Sequence, residues 1–199
     1  SGNATDDDVR RLVAAFPVEL RPKGIPGKVA PVHVPHPPAR IVQIPVNEPV
    51  VWVEDSHDSG NRNVAVEMYW QLGPVGASEA RETAEVELLA DLMTEPLFDT
   101  LRTKQQLGYV ASCGARWTHR VQGFSVWLMS SKFKPAEICR RACDFLTGFQ
   151  QTLQDMSEED FSQHVCSLAA LKLEPDRTLN SVQQAAWSEL QERNHDFDR

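Results

Sequence analysis

Glu95-Pro96-Leu97-Phe98-Asp99-Thr100-Leu101-Arg102-Thr103-Lys104-Gln105-Gln106-Leu107-Gly108-Tyr109-Val110 is the stretch on which the reading of this chain turns. Leu97, Phe98 and Leu101 recur at helical spacing, and Gly108 stops that pattern before an apolar run begins. The segment reads as a short helix feeding a strand. Arg102 and Lys104 place cationic donors near the junction, and Arg102 can give paired hydrogen bonds to a carbonyl or carboxylate. Tyr109 adds a hydroxyl donor on an aromatic body. Ordinary surface charge and a packed tyrosine explain the same residues, so the segment alone assigns no function.

Upstream, a helix is expected from Ser78, with Val86, Leu89, Leu92 and Met93 on one face. Pro96 should interrupt it, because proline disfavours the α conformation at Glu95. Gly73 to Ala77 reads as the preceding loop. Asn63 to Gln71 alternates, with Val64, Val66, Met68 and Trp70 on one side, the period of a strand. Asp55 to Asn61 is a polar turn. Arg40 to Val46 and Val50 to Val53 are expected as two short strands, with Pro45 marking the first as an edge strand or a strand end.

Downstream, Tyr109 to Arg116 and Val121 to Ser130 read as strands joined across Trp117-Thr118-His119-Arg120. Pro135 opens a long helix carrying Ile138, Ala142, Phe145, Phe149 and Leu153 inward. Ser157-x-x-Asp160 caps another, with Phe161, Val165 and Leu168 on its apolar face. A last helix spans about Thr178 to Gln191. Grouped strands with helices packed on one face make an α+β, two-layer fold.

The amino-terminal region stands apart. Thr5 caps an acidic first turn, Asp6 to Asp8, followed by Val9, Leu12, Val13 and Phe16 at helical spacing. Pro17 should close this helix. Residues 17–38 hold Pro17, Pro22, Pro26, Pro31, Pro35, Pro37 and Pro38 and read as an extended linker. A second domain is expected to cover residues 39–199.

Composition narrows the function classes. The chain of 199 residues carries a net charge of −8, which argues against a general nucleic-acid binder. Its four cysteines form no C-x-x-C pair, so reduced thiols in or near a core and an intracellular setting are expected, cytoplasmic with an organelle left open. No apolar run approaches the roughly 18 residues of a membrane span.

Six histidines occur, at 33, 36, 57, 119, 164 and 195, and none falls in H-x-x-E-H or H-E-x-x-H. His33 and His36 lie among prolines, where no helix can align them. His164 is solitary. Asp55-Ser56-His57-Asp58-Ser59 holds the members of a serine triad, but adjacent turn residues cannot reach triad geometry. Gly73-Pro74-Val75-Gly76 lacks the lysine and spacing of a phosphate loop.

Glu95-Pro96-Leu97-Phe98-x-x-Leu101-Arg102-Thr103-Lys104-x-Gln106-Leu107-Gly108-Tyr109 closely resembles the fourth-domain signature of the insulin-degrading enzyme and pitrilysin family of zinc metallopeptidases. Gly2-Asn3-x-Thr5 resembles the end of that family's preceding domain. Asn194 to Arg199 is similar to its segment before the last helices. The resemblance implies the mitochondrial-processing-peptidase-like fold, with residues 1–16 as the last helix of a preceding homologous domain. It implies a fourth domain that stops before its final helices. Zinc and its ligands would sit in the amino-terminal catalytic half of the full-length polypeptide, with no zinc held here. Arg102 and Tyr109 map onto the family's substrate-backbone contacts. The expected partners are a peptide substrate and that amino-terminal half, with a homodimer left open and no membrane or nucleic acid. A peptidase-like assembly domain without activity, or a free peptide-binding module, are the competing readings.

Overall fold

The computed structural model describes residues 5–19, 40–58, 60–74, 80–175 and 178–192. Most of the proline-rich segment, His33, His36, His195, Ser78 and Asn194 to Arg199 lie outside them. The chain divides into two units, Ser1–Ala39 with Pro175–Arg199, and Arg40–Glu174. The element order is α1 (Asp6–Glu19), β1 (Val64–Pro74), α2 (Ala80–Leu97), a π-helical segment (Phe98–Lys104), β2 (Val110–Thr118), β3 (Val121–Ser130), α3 (Pro135–Gln154), α4 (Glu158–Lys172) and α5 (Leu179–Glu192).

In the first unit, Thr5 and Asp8 close a reciprocal cap on α1. The Asp8 N–H donates to Thr5 Oγ1 at 3.3 Å, and the Thr5 N–H donates back to the Asp8 carboxylate at 2.9 Å. α1 does not stop at Pro17 but continues to Glu19. A proline near a helix end removes one hydrogen bond while keeping a helical φ. α5 starts one residue after Thr178, whose Oγ1 accepts from the Ser181 N–H at 3.1 Å.

The second unit is a three-stranded antiparallel sheet in the order β1-β3-β2. β3 is central, and Val126 stands between Met68 of β1 and Cys113 of β2. Phe124, Val126 and Leu128 alternate along β3 toward one face, as period 2 requires. Leu92, Met93 and Leu97 of α2 join Ile138, Ala142, Phe145 and Phe149 of α3 in the same core. Helices thus cover one face of the sheet, the expected α+β arrangement. On the other face Tyr69 lies over Gly123, and Arg116 stacks 5.2 Å from the Tyr69 ring while pairing with Glu67.

Four expectations change. The runs at 40–46 and 50–53 form no strand. Instead the Gln71 side-chain amide stands in for a neighbouring strand, accepting from the Ile44 N–H at 2.9 Å and donating to the Val42 carbonyl at 3.1 Å. Pro45 has no N–H to extend such a ladder. Pro96 does not break α2, which passes into the π-helical segment; the Gln105 N–H reaches back five residues to the Thr100 carbonyl at 3.0 Å. The β2–β3 turn is only His119-Arg120, both with positive φ (45° and 67°), which fits a type I′ turn without the usual Asn-Gly. α4 begins at its Ser157 cap as read, yet none of its residues is buried and Phe161 and Val165 are exposed.

The connection from the π-helical segment to β2 is pinned from both sides. Leu101 is 0% and Leu107 2% exposed, each burial contributing about 1.5–3 kcal/mol. The Leu107 N–H donates to the Leu101 carbonyl at 2.9 Å. Between Leu107 and β2, Gly108 runs against β3 so closely that a Cβ would lie 1.8 Å from the Met129 carbonyl oxygen. Gly108→Ala is therefore expected to destabilise the chain by about 3 kcal/mol in denaturant unfolding. Gly114→Ala, where an added Cβ meets nothing within 4 Å, should shift it by less than about 0.5 kcal/mol. Equal effects of the two would remove this contact from the account.

Candidate functional site

Arg102 and Tyr109, seven residues apart in sequence, line one open cleft of about 360 Å³. Arg102 comes from the π-helical segment and Tyr109 from the residue before β2. Gln106 and Gly108 complete that wall, and Ser130, Ser131 and Lys132, at the end of β3, form the other. The sequence reading named Arg102 and Tyr109 and missed the opposite wall. A Ser-Ser-Lys after an apolar strand is unremarkable until the register of β3 sets it across from Gly108.

Each wall is fixed by backbone chemistry. Gln106 has a positive φ of 50°, a left-handed turn that few side chains adopt, and it redirects the chain into Leu107 and Gly108. Opposite, Ser130 is fully buried; its Oγ accepts from the N–H groups of Lys132 at 3.1 Å and Phe133 at 3.3 Å. That double bond holds the turn after β3 in one shape. The Tyr109 hydroxyl donates to Met129 Sδ at 2.6 Å, a weak acceptor. The Arg102 guanidinium lies 4.5 Å from the Phe98 ring centroid.

Arg141 of α3 touches the residue next to each wall, Gln105 beside Gln106 and Phe133 beside Lys132. Its Nη1 lies 3.5 Å from the Gln105 carbonyl, a long hydrogen bond, and its guanidinium stacks 4.2 Å from the Phe133 ring. Glu137 holds Arg141 at 2.7 Å and Arg140 at 2.8 Å. These two guanidinium partners, Arg140 foremost, lower the Glu137 carboxyl from 4.5 to about 2.

The other candidates take bland roles. Ser56 and Asp58 close the expected polar turn: Asp58 N–H donates to Ser56 Oγ, and Gly60 N–H donates to Asp58 Oδ1. His57 is 3.9 Å from Glu54 on the surface. His164 Nδ1 sits 3.2 Å from Asp91, joining α4 to α2. Cys143 and Cys166 are exposed rather than in the core, while burial pushes the half-buried Cys113 thiol up. Among the described residues no three His, Cys, Asp or Glu side chains converge to hold a metal, and no helix is long and apolar enough to cross a membrane.

Residues 88–187, which contain both walls, match the family described as PQQ synthase PqqF-like, C-terminal lobe domain 4. The chain is 30% identical over 197 residues to a nardilysin-like protein of Arabidopsis thaliana, covering 99% of this chain and 19% of that protein. It is 31% identical over 148 residues to human insulin-degrading enzyme, covering 74% of this chain and 14% of that enzyme. In fold it is similar to the crystal structure of pitrilysin, with a TM-score of 0.55 and 22% identity over 67% of this chain and 14% of that one. The chain therefore belongs to the insulin-degrading enzyme and pitrilysin family, as a domain of the carboxy-terminal lobe. It spans under a fifth of the length of these relatives, 14% to 19%.

The Glu137 clamp gives a pH test. A carboxyl that ionises at about 2 when folded, against 4.5 ordinarily, adds stability above pH 4.5 and loses it as pH falls toward 2. In denaturant unfolding, the stability gap between the natural chain and Glu137→Gln is expected to narrow through that window. A gap unchanged between neutral pH and pH 2 would show that the arginine clamp does not bear on stability.

Proposed function

We propose that this chain is the substrate-holding, carboxy-terminal portion of a zinc-dependent metalloendopeptidase, and that it cleaves no peptide alone. The observation that carries the reading is the convergence of Arg102 and Tyr109 on one cleft, in the segment whose resemblance assigns both to substrate contact. Residues 1–16 are read as the last helix of a preceding homologous domain, 17–38 as a linker and 39–199 as the fourth domain. The full-length protein is read as cytoplasmic, with an organelle as the alternative.

Physically, the cleft supplies hydrogen-bond donors on rigid walls. Arg102 presents a planar fork whose edges can meet a peptide carbonyl while its face rests on Phe98. The Tyr109 hydroxyl gives up only a thioether to meet a second carbonyl, a small loss. Holding an extended peptide at two carbonyls orients the bond to be cut and reduces the entropy lost on reaching the transition state. Donors near a carbonyl that gains charge add electrostatic stabilisation. In this reading, which follows the family resemblance, zinc is held by the amino-terminal half of the full-length polypeptide.

In the full-length protein, Arg102→Ala or Tyr109→Phe is expected to lower kcat/KM for a peptide tenfold or more, about 1.4 kcal/mol in transition-state stabilisation. Unchanged kinetics would take both residues out of the site. The purified chain alone is expected to bind no stoichiometric zinc and to cleave nothing; zinc-dependent hydrolysis by it would overturn the proposal.

A further inference from the structure

We infer that the cleft selects a carboxylate on the bound peptide, and that Lys132 is the residue that sets this preference. The inference rests on the substrate-holding role proposed above and adds a specificity to it. It starts from the charges of the lining. The seven residues around the cleft include two cations, Arg102 and Lys132, and no acid, in a chain whose net charge is −8.

Among the described residues, neighbouring cations are neutralised and these two are not. Lys104 is held by Asp99 at 2.7 Å. Arg140 pairs with Glu137 and with Asp144, and Arg141 with Glu137. Among the described residues no carboxylate pairs with Arg102 or Lys132; the Arg102 guanidinium rests on Phe98 alone. Two unpaired cations facing one concavity repel, and an anion between them relieves that repulsion. The other polar lining groups, Gln106, Tyr109 and Ser131, are neutral and add hydrogen bonds without offsetting the positive charge.

The backbone of Lys132 is also fixed. Its N–H is bound by the buried Ser130 hydroxyl, and the next residue, Phe133, is both bound by Ser130 and stacked under Arg141. The Lys132 side chain therefore springs from a fixed point on the wall opposite Arg102. In this division, Arg102 and Tyr109 hold the peptide backbone, whatever its sequence, and Lys132 reads a negative charge beside it. The carboxylate can come from an aspartate or glutamate side chain or from a free carboxy terminus.

The test uses the full-length protein and matched peptides with Glu or Gln at each position around the cleaved bond, plus free-acid and amidated carboxy termini. At one position, or at the terminus, the charged peptide is expected to have a kcat/KM about tenfold higher, the size of one charge-assisted hydrogen bond. That ratio should fall to about one in Lys132→Met, recover in Lys132→Arg, and shrink as salt is raised. The Glu–Gln arm and the acid–amide arm separate the two sources. A ratio near one at every position, or a ratio untouched by Lys132→Met, overturns the inference. Arg102→Ala tells the two readings apart: if it slows neutral and charged peptides alike while the charge ratio is one, only the carboxylate preference fails. If it slows neither, the substrate-holding role fails.

Discussion

The cleft depends on one absent side chain. At Gly108 backbone meets backbone, with no room for even a methyl group beside the Met129 carbonyl. This contact fixes the start of β2 against the end of β3. Leu101 and Leu107, both fully or nearly fully buried, anchor the chain just before that point, and buried Ser130 anchors the strand across from it. Arg102 and Tyr109 thus take their positions from the core rather than from a flexible loop. Sites built this way hold their geometry because the supporting side chains are locked by packing.

The same logic links the core to α3. Ile138, Ala142, Phe145 and Phe149 bury one face of that helix, so its first turns cannot shift relative to the sheet. Arg141 is carried with them and meets both the Gln105 carbonyl and the Phe133 ring. Glu137, one turn earlier, engages it at 2.7 Å. Hydrophobic packing thereby positions a charged group that holds the residues flanking both walls of the cleft.

What the sequence made legible follows from the range of each interaction. β3 and α3 were readable because their buried faces repeat with periods of 2 and 3.6, and Phe124, Val126 and Leu128 or Ile138, Ala142, Phe145 and Phe149 obey them. The caps at Thr5 and Ser157 were readable because they are local. Misreadings arose where a partner decides. Val50 to Val53 has strand composition but pairs with no strand among the described residues, and Trp52 is 85% exposed. Pro96 broke a local rule that the wider π turn accommodates. At the site, one wall was visible as a contiguous segment. The other, Ser130 to Lys132, required the β2–β3 register, which a two-residue turn without Asn-Gly disguised.

That π turn also decides which cation faces the cleft. In a regular α-helix, residues five apart are separated by about 140° around the axis and do not meet. Here the longer turn lets Asp99 reach Lys104, five residues on, at 2.7 Å. Phe98 and Arg102, four apart, still meet as a stacked pair at 4.5 Å. The first contact consumes a charge, and the second orients a charge without consuming it, because an aromatic face attracts a cation and leaves its hydrogen-bond donors free. An uninterrupted α-helix would bring Asp99 nearer to Arg102 and Thr103, at three and four residues, than to Lys104. Arg102 would then be open to neutralisation by its own helix. A local change of helical pitch, two residues after Pro96, thus leaves the cleft with a guanidinium that no carboxylate among the described residues pairs with, and with it the capacity to hold a carbonyl or a carboxylate.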